Sequence, residues 1–322
     1  MQKKIVYFVQ NYRPEYEAIS KEVEILSKNF NSEIFNMNFR NPLTYYKLLR
    51  LPFLKRDINH IYTSLGDRPY LSLLRKKPIV LTGSSEAKID KIRERMKFYG
   101  KIDKLVVESE RQRGILLDIG VDESKIRLIP PGVDLKEFSY KKEERFTILF
   151  ASSPTRVEQM KSRGIDLMLE IAKKNRSINF IFLWRKTGYS NLIKKINERN
   201  LKNVEIINEI VTNINEIYAR SSCTIAPFLD FESHKPIPRS IIESLAAGKP
   251  VLVSNKVSIA NIVDNERCGV VFEPSIDSVV DAISKLKENY SRYQENSRRT
   301  SEKYFSKERF VEDYRKLYDE IL

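Results

Sequence analysis

Cysteine is scarce: Cys223 and Cys268 stand alone and far apart in 322 residues, which excludes a disulfide framework and a cysteine-based zinc site. No apolar run approaches the roughly 20 residues of a membrane-crossing helix. The apolar opening stretch stops at Val9, before Gln10 and Asn11, too short for a signal-peptide core and suited to a first buried strand. Tandem repeats and low-complexity segments are absent. So are zinc-finger spacing, an RNA-recognition motif and a basic leucine zipper, so the net charge of +14 comes without a nucleic-acid signature. A cytoplasmic protein with no nucleic-acid partner is expected.

The chain is 41% hydrophobic and 31% charged, the balance of a globular protein, and long enough for two domains with separate cores. Residues 1–145 hold 29 basic and 20 acidic side chains, net +9, against +5 for the remainder. Solvated surfaces account for such an excess, and so does attraction to an anionic membrane. Leu43 to Arg56 bears on this choice, because Tyr45, Tyr46, Leu48, Leu49, Phe53 and Leu54 interleave with Lys47, Arg50, Lys55 and Arg56. That pattern fits a peripheral membrane contact and equally an ordinary helix covering a sheet.

Short apolar runs alternate with amphipathic segments, as in βα units around parallel sheets. Strands are predicted at 5–9, 33–37, 60–63, 79–82, 105–107 and 126–129, with a helix over 15–28; His60 falls within a strand and reads as packed. A second series opens at Phe146–Ala151 and continues with strands at 180–184, 204–207, 224–227 and 251–253. The expected domains are 1–138, a linker at 139–145, and 146–304, followed by a C-terminal helix at 305–322.

The most informative stretch is Lys235-Pro-Ile-Pro-Arg-Ser-Ile-Ile-Glu-Ser-Leu-Ala-Ala-Gly-Lys-Pro-Val-Leu-Val-Ser254. Ser240 is the expected N-cap and Glu243, three residues on, completes a capping-box pattern. Ile241, Ile242, Leu245 and Ala246 supply the apolar face, and Gly248 and Pro250 end the helix before a buried strand. A helix start at the mouth of an α/β sheet offers free N–H groups and about half a positive charge, a natural seat for phosphate.

The string Glu243-Ser-Leu-Ala-Ala-Gly-Lys-Pro-Val resembles the donor-site helix of glycosyltransferase family 4. A second string is similar to the same family's passage into the interdomain linker: Leu105-Val-Val-Glu-Ser-Glu-Arg-Gln-Arg, then Gly120-Val-Asp-Glu-Ser-Lys-Ile-Arg-Leu-Ile-Pro-Pro-Gly-Val-Asp134 and Phe138. The resemblance covers roughly residues 105 to 275. It implies an α/β protein of the GT-B fold, two Rossmann-like domains with parallel sheets facing each other across a cleft, with the C-terminal helix bracing the first domain. The implied activity is retaining transfer of a hexose-type sugar from a nucleotide-diphosphate sugar to a glycan or lipid-linked acceptor. No cofactor is implied. No Asp-x-Asp motif is present, so no catalytic metal is expected, and the charge of the leaving diphosphate falls to cationic side chains.

Carried over residue by residue, Arg163-Gly164 resembles the family's Lys-Gly pair at the diphosphate. Arg156 or Lys161 stands in for a second cation, and Arg185 and Lys186 follow a strand at another carboxyl end of the sheet. Glu243 matches the second acid of the Glu-x7-Glu motif, which holds the ribose, beside its capping-box reading. His234, Lys235, Pro238, Arg239, Ser240 and Ile241 complete the expected donor loop.

The departures are specific. The first motif acid falls on Lys235, with Glu232 as a substitute; Pro236 and Pro238 replace glycines. Gly83, Ser84 and Ser85 stand where a His-Asp pair is common, and Asn11-Tyr-Arg-Pro-Glu-Tyr16 replaces a Gly-Gly loop. These losses keep two alternatives open: a non-catalytic nucleotide-sugar or partner-binding protein, and a GT-B epimerase or hydrolase.

Overall fold

The computed structural model describes residues 3–15, 17–38, 41–67, 74, 78–185, 187–232 and 234–322. The chain divides into two compact units. Met1–Gly132, His234–Pro236 and Lys307–Leu322 form the first; Val133–Ser233 and Ile237–Ser306 form the second. Residues 139–145 therefore lie inside the second unit, which begins at Val133.

The first unit is built on β1 (Ile5–Gln10), β2 (Ser32–Met37), β3 (Ile58–Thr63), β4 (Ile79–Gly83), β5 (Lys104–Val107) and β6 (Ile126–Leu128). They form one parallel sheet in the order β2-β1-β3-β4-β5-β6. Continuous apolar runs such as Ile5–Val9 are buried on both faces, because the period of two sends alternate residues to opposite cores. Val6, Phe8, Ile61 and Leu81 enter one core. Ile5, Tyr7, Val9, Tyr62 and Val80 enter the other, where the helix Ala18–Asn29 adds Val23 and Leu26. The helix Lys307–Glu320 completes that core with Phe310, Tyr314, Leu317 and Tyr318, spaced to share one helical face. Gly132 is required at this seam, since a Cβ there would lie 2.5 Å from the Cβ of Phe310.

His60 is fully buried in β3, as its place in a strand predicts. Its Nδ1 lies 2.7 Å from the Tyr318 hydroxyl and its Nε2 2.7 Å from Thr82 Oγ1. Burial lowers its pKa to about 3, so the ring is neutral and both nitrogens are satisfied by uncharged partners.

The second unit carries β7 (Thr147–Phe150), β8 (Asn179–Leu183), β9 (Val204–Ile207), β10 (Cys223–Ala226), β11 (Val251–Ser254) and β12 (Gly269–Phe272). All are parallel, in the order β12-β11-β10-β7-β8-β9. Strand order reverses between β7 and β10, and in open α/β sheets the carboxyl ends at such a reversal form the ligand crevice. The C-terminal helix expected at 305–322 is Lys307–Glu320, and the helix before it, Tyr290–Phe305, ends at Ser306, whose extended backbone breaks the two apart. Lys249 is wholly buried; its Nζ donates to the Lys141 carbonyl at 2.5 Å and to Glu143 Oε2 at 2.5 Å, pinning the 140–143 stretch to the β10–β11 connection. Among the described residues no helix is long and apolar enough to cross a membrane.

Candidate functional site

The loop after β7 is shaped by one side chain. Gln159 Oε1 accepts from the Thr155 N–H at 2.8 Å, the Thr155 hydroxyl at 2.9 Å and the Arg156 N–H at 3.2 Å. A single helical turn, Gln159–Ser162, follows and leads through Arg163 and Gly164 into the helix Ile165–Lys174. Gly164 has φ 72°, and a Cβ there would sit 2.1 Å from the Pro227 carbonyl oxygen. Only glycine allows both the left-handed turn and this backbone approach. The Leu229 N–H also donates to the Ser162 carbonyl at 2.8 Å, so the segments following β7 and β10 are joined at the strand-order reversal.

Arg163 is held there. Its Nη1 donates to the hydroxyl and, at 3.3 Å, to the carbonyl of Ser152, and its guanidinium carbon lies 5.8 Å from the Phe228 ring centroid. Arg156 and Lys161 are exposed. Beyond β8, the Arg185 N–H donates to Ser153 Oγ at 2.8 Å, and that hydroxyl donates to the Leu183 carbonyl at 3.2 Å, coupling the ends of β7 and β8. Lys186 lies outside the described residues.

The loop leaving β10 ends at the helix Arg239–Ala246. Here the structure corrects the capping box. The N-cap is Pro238, whose carbonyl accepts from the N–H groups of Ile241 at 3.0 Å and Ile242 at 3.4 Å. Ser240 is inside the first turn, and Glu243 is drawn elsewhere: its Oε1 accepts from Arg239 Nε at 2.7 Å, and its Oε2 from the Tyr218 hydroxyl at 2.9 Å. A buried charge without partners is costly, and Arg239 and Tyr218 supply them. Burial, reinforced by the Glu243 carboxylate, pushes the Tyr218 hydroxyl well above its ordinary range, so it remains a donor. Ile241 is buried with the rest of the helix. Glu232 remains in the loop, its N–H bonded to Asp230 Oδ1 at 2.8 Å.

His234 and Lys235 join the first unit. The Glu86 N–H donates to the His234 carbonyl at 2.9 Å, and His234 Nδ1 lies 2.7 Å from the Lys235 carbonyl. Lys235 Nζ sits 2.6 Å from Glu108 Oε1 and 3.0 Å from Glu22 Oε1, with both carboxylates 2% exposed. Burial pushes the Glu108 carboxyl up against the pull of Lys235, and nearby Glu22 adds to the rise. Burial alone would lower the Lys235 ammonium, but Glu108 and Glu22 outweigh it and hold it raised. Two buried acids around one ammonium leave an excess negative charge, which a proton on Glu108 removes.

The sequence-derived residues thus fall into two groups. Arg163, Arg185, Arg239, Ser240 and Glu243 belong to segments of the second unit that follow β7, β8 and β10, while His234 and Lys235 are bonded into the first unit. Ser152, Tyr218 and Phe228 were not picked out from the sequence, since each acts through a partner distant in the chain; nor was Gln159, which folds its side chain back onto the neighbouring Thr155 and Arg156. Glu108 carried a signal, an acid directly after a buried strand. An arginine beside a helix start suits a phosphate-bearing ligand. Among the described residues no group of three or more His, Cys, Asp or Glu side chains is placed to hold a metal ion.

The family model described as "Glycosyl transferases group 1" matches residues 134–304. No curated protein matches the sequence. Among solved structures, a glycosyltransferase from Rickettsia africae superposes with a TM-score of 0.78 at 18% identity, covering 99% of this chain and 98% of that one. Anabaena HepE, in complex with UDP and glucose, gives 0.79 at 12% identity over 98% and 99%. A sucrose-phosphate synthase from Thermosynechococcus elongatus gives 0.80 at 14% identity over 99% of both chains. The two Rossmann-like parallel-sheet units are those of a GT-B fold.

Proposed function

The chain is a glycosyltransferase belonging to the glycosyl transferases group 1 family, and on that premise we propose that it moves a hexose-type sugar from a nucleotide-diphosphate donor to a glycan or lipid-linked acceptor. The observation that carries this reading is Arg163, fixed by Ser152 and Phe228 where strand order reverses. As the glycosidic bond breaks, charge grows on the departing diphosphate. A cation already held in place stabilises that charge without reorganising. The amides at the start of Arg239–Ala246 add to the same field, with Arg156, Arg185 and Lys186 as further cations. Glu243 orients the ribose: Arg239 and Tyr218 hold its carboxylate in place at the start of the helix, and a carboxylate oxygen can accept more than one hydrogen bond.

HepE has been solved with UDP, with UDP and glucose, and with UDP-glucose, which supports a nucleoside-diphosphate sugar as donor. Retention of anomeric configuration and independence from metal belong to the same proposal, the latter resting on the missing Asp-x-Asp motif. So does peripheral membrane contact through the segment beginning at Leu43, at the cytoplasmic face. Incubation with a panel of nucleotide sugars, with and without acceptor and with and without EDTA, tests the reading through released nucleoside diphosphate. Anomeric signals of the product test retention. Absence of release from every donor in the panel overturns the proposed transfer.

A second reading is favoured by Lys235 alone. The residue at the first acidic motif position is ion-paired to Glu22 and Glu108, which suits a protein that binds nucleotide sugars without transferring them. UDP binding by calorimetry without turnover would select it.

A further inference from the structure

The helix Pro42–Arg50 is amphipathic in an unusual sense. Thr44, four residues before Leu48, is buried with its hydroxyl on the Asn38 carbonyl at 2.7 Å, and Leu48 packs on the core of the first unit. The opposite face holds Leu43, Tyr46 and Leu49, three residues apart, which are 63%, 60% and 75% exposed; Phe53 in the next turn is 86% exposed. Isolated exposed apolar residues are ordinary. Here half of the ten large exposed hydrophobics among the described residues fall within residues 43–53, and such clustering marks an interaction surface.

The turn bearing Phe53 is braced from behind. Arg56, which the sequence pattern grouped with the outward-facing cations, is buried instead: Nη1 donates to the carbonyls of Leu51 at 2.5 Å and Leu54 at 3.2 Å, and Nε to Asn59 Oδ1 at 2.5 Å. Its guanidinium caps backbone acceptors, and the exposed cations among the described side chains of this segment are Lys47 and Lys55. The surrounding sequence is basic: residues 40–77 contain nine Lys and Arg, the buried Arg56 among them, against Asp57 and Asp67, net +7.

We propose that this segment is an interfacial wedge for an anionic lipid bilayer: Leu43, Tyr46, Leu49 and Phe53 enter the headgroup boundary, and Lys47 and Lys55 pair with lipid phosphates. The observation that selects lipid is the joining of exposed apolar side chains, on one helix face and the turn that follows it, with basic sequence. A fluid boundary accommodates such side chains singly, and lysine stems extend along it to the headgroups. The inference deepens the membrane contact of the proposed function by naming the lipid class and the residues that enter.

Sedimentation of the full chain with vesicles of phosphatidylcholine alone, and of phosphatidylcholine with phosphatidylglycerol, tests it. Binding is expected on the anionic vesicles, weakening as salt rises. Leu49→Ser and Phe53→Ser should each reduce it about tenfold. Lys47→Gln and Lys55→Gln should each reduce it about fivefold and flatten the salt dependence. Circular dichroism confirms that the variants fold. Equal binding to neutral vesicles, no binding, or unchanged binding by Leu49→Ser and Phe53→Ser overturns the proposal, as does concentration-dependent dimerisation that those two changes abolish. No donor or acceptor enters the assay. A chain that binds UDP but ignores vesicles removes this inference and the membrane contact it deepens while leaving the proposed transfer, and one that binds vesicles but not UDP removes only the transfer.

Discussion

Lys235 Nζ lies 2.6 Å from Glu108 Oε1, an ion pair between residues 127 positions apart in the chain, with Glu22 as the third member. The position that a family resemblance would assign to a donor-reading acid is occupied by a cation satisfied inside the first unit. Lys235→Met removes the ammonium and leaves two buried acids with no cation between them. It should cost about 3 kcal/mol in urea unfolding at neutral pH. Adding Glu108→Gln should recover part of that loss, a coupling that a double-mutant cycle measures.

The same triad gives stability a pH slope. Glu108 has a raised pKa in the folded chain, so its contribution is complete below the ordinary carboxylate range and is lost as pH climbs toward the raised value. Glu108→Gln should flatten this slope. Unfolding free energies compared across the weakly acid to neutral range check it.

His60 acts in the opposite direction. Its folded pKa is lowered to about 3 from 6.5, so the unfolded chain takes up a proton first as pH falls. The stability of the wild type relative to His60→Gln should decline below pH 6.5, by at most about 1.4 kcal/mol per unit, until pH reaches the lowered value. Equal slopes for the two proteins would contradict a neutral, buried ring.

Two glycines should respond with opposite sign. Gly164→Ala sets a Cβ against the Pro227 carbonyl in a left-handed turn, and should destabilise by about 2–4 kcal/mol. Gly114, inside the helix Glu110–Asp118, has nothing within 4 Å of the point that an added Cβ would occupy. Gly114→Ala should stabilise by about 0.5–1 kcal/mol, read as a rise in Tm.

Under the proposed transfer, Arg163→Ala should lower kcat about a hundredfold or more, because its charge matters most as the diphosphate departs. Glu243→Gln, which weakens the hold on ribose and the Arg239 contact, should act mainly on donor KM. Steady-state kinetics over donor concentration separates the two.

The periodic parts of this fold are legible in the amino-acid order. Strand Val204–Ile207 falls where it is predicted, and the other predicted strands differ by a residue or two at their ends. Burial on both faces of a parallel sheet leaves an apolar run that announces itself. The start of Arg239–Ala246 is misread for the opposite reason. Ser240 and Glu243 form a valid local capping pattern, but Arg239 and Tyr218 hold the Glu243 carboxylate, and Tyr218 lies 25 residues upstream. Local spacing carries no information about a competing partner that far away. Arg56 repeats the lesson: its sequence neighbours suggest an outward cation, while its buried hydrogen bonds tie down a turn.

What the amino-acid order determined alone was the βα alternation, the placement of Gly248 and Pro250 as punctuation, and the family resemblance, since propensity, periodicity and turn chemistry act over a few residues. What only tertiary structure decided was charge placement: Lys235 between Glu22 and Glu108, Arg163 against Ser152 and Phe228, and the outward turn of Leu43, Leu49 and Phe53. Desolvation makes a buried charge depend on whichever partners the fold brings within reach, and those partners come from segments that meet only after the sheets have formed.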